Sequence, residues 1–78
     1  MNNKIKFLQI VLSDLISKRD TLELDLNRVL NDDNVRTEDK KTDFDLLLSS
    51  ITVTNNKIQM LSEYMSAFNN VDTNNNNE

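Results

Sequence analysis

Residues 44–68 read FDLLLSSITVTNNKIQMLSEYMSAF. Within them Phe44, Leu47, Ile51, Thr54, Ile58, Leu61, Met65 and Phe68 are spaced alternately by three and four. That spacing is the seam of a heptad helix, and only Thr54 interrupts its apolar character. A second apolar line, Leu46, Val53, Met60 and Ala67, repeats every seven residues, and Tyr64 falls between the two lines. One partner helix can bury the seam. The second line asks for another partner.

The N-terminal half carries a matching seam. Ile5, Leu8, Leu12, Leu15, Arg19, Leu22, Leu26 and Val29 follow the same spacing, with Arg19 as the polar member. Val11, Ile16 and Leu30 are expected to widen this stripe. Ile10 and Leu24 lie further round, where an isolated hairpin would expose them.

Between the halves the periodicity stops at Asn31-Asp32-Asp33-Asn34. Asn and Asp compete with helical hydrogen bonding and favour turns and caps. Asn2 or Asn3 is expected to cap the first helix, and Asn34 or Thr37 the second. Glu38 and Asp39 then fall in a first turn, where the helix dipole favours acids. One continuous helix with a four-residue stutter is the alternative. The run of Asn and Asp favours the break.

The sequence therefore predicts an all-α fold, an antiparallel two-helix hairpin of coiled-coil type. The boundaries are helix about 4–31, turn about 32–37 and helix about 38–70, followed by a disordered polar tail at 71–78. Folding the seams antiparallel pairs Val29 with Phe44, Leu22 with Ile51, Leu15 with Ile58 and Leu8 with Met65. The same register sets Arg19 level with Thr54. The one polar residue of each seam then shares a layer, and such a layer specifies register. The Arg19 head is expected to reach Thr54, Ser50 or Glu23.

Composition agrees with helices. The chain has 78 residues, no Gly, no Pro, no Cys and no His. Without Gly, turns that need positive φ lose their easiest residue, so β-hairpins are disfavoured. Without Cys or His, disulfides are excluded and a structural zinc site has no usual ligands. A chain this short rarely buries a comfortable core without staples or self-association. The abundance of Asn, Lys, Asp and Ile matches coding by an AT-rich genome, viral or cellular.

Chemistry is scarce in this inventory. No His or Cys can act as base or nucleophile, and no Gly-rich loop can cradle phosphate. The protein is expected to be no enzyme and to need no cofactor or metal. Asp32, Asp33, Glu38, Asp39, Asp43 and Asp45 crowd the turn. They lack the central Gly and closing Glu of a calcium loop, and they read as a solvated, acid-capped helix start. A formal charge of −4 counts against a nucleic-acid-coating role. Lys4 and Lys6 precede a short apolar run, but Gln9 and Asp14 interrupt it and no cleavage site follows. A soluble cytoplasmic protein, with no membrane partner, is expected.

Glu23-Leu24-Asp25 is similar to the Glu-Leu-Asp motif of the small sporulation aspartyl-phosphatase hairpins. In that family the motif sits in the second helix and here it lies in the first, so no role is carried over. The expected architecture also resembles the plasmid RNA-binding repressors that dimerise into four-helix bundles. That resemblance is architectural and implies no particular residue.

The functional expectation is a small protein–protein interaction module: an accessory, adaptor or regulatory protein of the kind that phages and viruses encode. Its partner is a second copy, giving a homodimeric four-helix bundle, or another protein. The interface residues are Leu46, Val53, Met60, Tyr64 and Ala67, with Ile10 and Leu24. Between residues 46 and 62 the one charged side chain is Lys57, amid small neutral residues that suit close helix packing. The alternative is a nucleic-acid-associated factor acting as a dimeric bundle. Arg28, Arg36, Lys40 and Lys41 at the turn end would supply its basic patch.

Overall fold

The computed structural model describes the backbone of residues 2–77 and the side chains of residues 3–68. Two helices account for it: α1, Asn2–Asn31, and α2, Thr37–Asn77. A single unbroken helix of 78 residues would stretch about 117 Å at 1.5 Å per residue. The molecule measures 63 × 15 × 14 Å. The longest dimension is that of α2 alone, and the cross-section is that of two helices side by side. The chain is therefore an antiparallel helical hairpin and not a continuous stuttered helix.

The turn is built by local hydrogen bonds. The last turn of α1 tightens as the Asp32 N–H donates to the Val29 carbonyl at 3.2 Å. The Asp32 carboxylate then accepts the Asn34 N–H at 3.0 Å, closing an Asx turn. Among the described residues none adopts positive φ, so the reversal proceeds without the glycine that many helix ends require. Asp32→Ala removes this acceptor. It is expected to cost about 1 kcal/mol in urea unfolding, while Asp33→Ala changes little. Equal midpoints for Asp32→Ala and wild type would show that the carboxylate is dispensable.

The caps differ from expectation. The Arg36 carbonyl accepts the Lys40 N–H at 2.8 Å, which makes Arg36 the N-cap of α2 in place of Asn34 or Thr37. The Asx turn draws Asn34 into the loop, and the helix has already begun at Thr37. Glu38 and Asp39 do occupy its first turn, and Arg28 occupies the last turn of α1. Both placements oppose the helix dipole favourably. α1 starts at Asn2, so Asn3 is inside the helix.

The end of α2 also moves. Its backbone is helical to Asn77, beyond the expected end near Asn70. The expectation of a disordered tail at 71–78 meets a helix over 71–77, and at Glu78 it lies outside the described residues. Helix propagation fixes one residue per bond gained, and no Gly or Pro stops it here.

Packing follows the two seams. Every seam residue of α1, from Ile5 to Val29, is half-buried, and so are their neighbours Val11 and Ile16. Leu30, in the last turn of α1, is exposed and does not widen the stripe. In α2 the seam residues are half-buried or better. Among the described side chains, Ile51 and Thr54, at 9% and 3% exposure, are the buried ones. A pair of helices encloses one line of side chains and leaves both its edges open to water. Residues of both helices line the grooves between them: Leu8 with Phe68, Leu15 with Lys57 and Leu61, and Leu22 with Ser50 and Thr54.

Candidate interaction surface

The polar layer lies mid-hairpin. The Thr54 hydroxyl, nearly solvent-free, donates to the Ser50 carbonyl of the preceding turn at 2.8 Å. Its hydrogen-bonding need is met inside its own helix. The Arg19 head does not reach Thr54, Ser50 or Glu23. Its Nη2 lies 3.2 Å from the Asp20 carboxylate, with the Arg19 side chain about a third exposed. Arg19 keeps its guanidinium wet at the edge and avoids the desolvation that a buried pair would demand.

Replacing Arg19 with Leu completes the apolar seam at the cost of an exposed ion pair that contributes little. Arg19→Leu is expected to raise stability by roughly 1 kcal/mol in urea unfolding and to loosen register or oligomer state. A destabilised variant would mean that Arg19 holds the layer together.

The largest exposed apolar side chains do not form one belt. Exposed Phe7 and Tyr64 share one groove between the helices, and Tyr64, exposed Met60 and half-buried Val11 share the next. Phe7 and Tyr64 flank a groove floored by Leu8 and Phe68. Tyr64 also borders the adjoining groove, with Val11, Leu15, Met60 and Leu61. Leu15 and Lys57 continue from there into a third stretch, alongside Lys18, Leu22, Ser50 and Val53. The first joins the second through Tyr64 and the second joins the third through Leu15 and Lys57, so together they make one shallow, open channel along the hairpin. Phe7 and Met60 stand 63% and 72% exposed on its walls. The Tyr64 ring is held edge-on against Phe68, with centroids 5.3 Å apart at 90°.

Of the residues marked by spacing, Val53, Met60 and Tyr64 line this channel. Leu46 is exposed nearer the turn, in a shallow hollow with Lys41, Asp45 and Leu48. Ile10 and Leu24 are exposed on the far side of α1, two residues out of step with the seam. Ala67 is exposed close to the free end. Phe7 and Val11 complete the face from α1, and reading each helix separately did not place them there. The signal was available in the register, which sets Phe7 and Val11 on either side of the level of Tyr64.

Charge is uneven on the face. Among the described residues that line the channel, the ionised ones are Lys4, Lys18 and Lys57, all exposed. At the turn end, Arg28 pairs with Asp25 at 3.3 Å and Lys40 lies 4.0 Å from Asp33. Among the described residues no three His, Cys, Asp or Glu side chains gather as a metal site. Among the described residues no helix is long and apolar enough to cross a membrane. Comparison with protein-family models, curated proteins and solved structures gave no match.

Proposed function

We propose that this protein is a non-enzymatic interaction module whose channel face receives another helical surface. Its occupant belongs to a second copy, closing a four-helix bundle, or to a different protein. The observation that carries this reading is that exposed Phe7, Met60 and Tyr64 line adjoining grooves on one face, joined through Tyr64. Isolated exposed apolar residues are ordinary, whereas contiguous ones rimmed by polar groups mark interaction sites.

A nucleic-acid role has less support, because Arg28 and Lys40 at the turn lie beside carboxylates. The test is sedimentation velocity of wild type, Val53→Asp and Met60→Asp, with circular dichroism as the check on folding. Both variants are expected to keep their helices and to lose whichever partner the wild type holds, a second copy read with the chain alone or another helix read in mixture.

A further inference from the structure

We infer that the occupant of the channel is an amphipathic helix of another protein, apolar along one stripe and acidic along its flanks. The inference rests on the interaction reading and names the partner's chemistry. The apolar floor and walls fit a helix laid lengthwise, since Tyr64 is braced by Phe68 and Leu15 and Leu61 lie beneath. The rim supplies the charge preference. Lys4 and Lys18 stand two heptads apart on α1, about 21 Å at 1.5 Å per residue. Lys57 faces them from α2, between Val53 and Met60. No carboxylate is among the described residues that line the channel itself; Asp14, Asp25 and Asp43 lie beside it, Asp25 and Asp43 towards the turn. Lysine stems can cover the edges of a docked helix while their ammonium groups meet its acids.

A second copy fits this face poorly. The seven-residue line Lys4, Val11, Lys18, Asp25 runs from basic at the free ends to acidic near the turn. The line Asp43, Ser50, Lys57, Tyr64 shows the same polarity in the opposite chain direction. A copy laid in the same direction matches apolar to apolar but sets lysines on lysines. A copy laid in the opposite direction brings Asp25 and Asp43 towards the lysines. It also sets Phe7 and Tyr64 against the charged turn. Neither arrangement satisfies both demands, and an acid-flanked helix with one apolar stripe satisfies both.

The test is selection of helical peptides from a display library against the full chain. The library fixes a leucine stripe and randomises the flanking positions. Asp and Glu are expected to be enriched over Lys and Arg on the flanks by about tenfold or more. The double variant Lys18→Glu with Lys57→Glu, shown folded by circular dichroism, is expected to reverse that preference. Binding of a selected peptide should also alter the emission of Tyr64, the single tyrosine in a chain without tryptophan. Selected flanks without charge preference, or a preference that the double variant leaves unchanged, overturn the acidic partner and leave the interaction reading standing. The same holds if no peptide is enriched while wild type dimerises and Met60→Asp dissociates it, because the occupant is then a second copy. Binding only to phosphatidylserine vesicles replaces the protein partner with a membrane. A monomeric chain that binds neither peptide nor vesicle overturns both readings.

Discussion

Ile51→Asp is expected to abolish the helical fold under conditions where wild type is fully folded. Ile51 is one of two buried side chains among the described residues, next to the other, Thr54, along the α2 seam. Losing its burial removes about 1.5–3 kcal/mol. Forcing a carboxylate into the same place adds several kcal/mol of desolvation or forces its protonation. The nearest seam cation expected from the register, Arg19, is already turned out to Asp20. A single core in a chain below about 80 residues rarely supplies more than about 3–5 kcal/mol, so the loss exceeds what the hairpin has. Asn56→Asp, on the exposed side of the same helix, serves as control and is expected to stay within about 0.5 kcal/mol. Far-UV circular dichroism with urea titration reads both. Wild-type helicity and midpoint in Ile51→Asp would mean that the seam is not what holds the hairpin together.

Met60→Asp is expected to have the opposite signature, an intact fold and a lost partner. Met60 is 72% exposed, so the isolated hairpin surrenders little contact when it is replaced. At an occupied interface the same change removes most of about 1.5–3 kcal/mol of burial and introduces a charge that must be desolvated. Together these weaken association by roughly 100-fold or more, at about 1.4 kcal/mol per tenfold. Ile10→Asp, on the far side of α1, separates this face from exposed apolar surface in general and is expected to leave association unchanged. Sedimentation velocity over a concentration series measures the mass, and circular dichroism confirms the fold. A monomeric wild type whose mass and binding are both indifferent to Met60→Asp would reduce the face to ordinary exposed surface.

Secondary structure and seam were legible from spacing because a helix converts a three-four repeat directly into one face. Phe44 to Phe68 and Ile5 to Val29 each mark that face without reference to the other. The break at Asn31 to Asn34 was legible because those side chains offer the backbone local alternatives to the helix. What depended on the folded chain was the fate of groups with several possible partners. The Thr54 hydroxyl went to its own helix, the Arg19 head to its neighbour Asp20, and the cap to the Arg36 carbonyl. Each choice turns on angstrom-scale distances and on which group keeps its water, and residue type does not encode either. The extent of α2 escaped for a related reason, since the apolar period ends at Phe68 but helix propagation does not need it. The candidate face belongs to the pair of helices. Met60 and Tyr64 repeat along α2, yet Phe7 and Val11 join them only because the turn brings α1 back in this register. Spacing along one helix determined which side chains are left over, and tertiary packing decided which of them lie side by side.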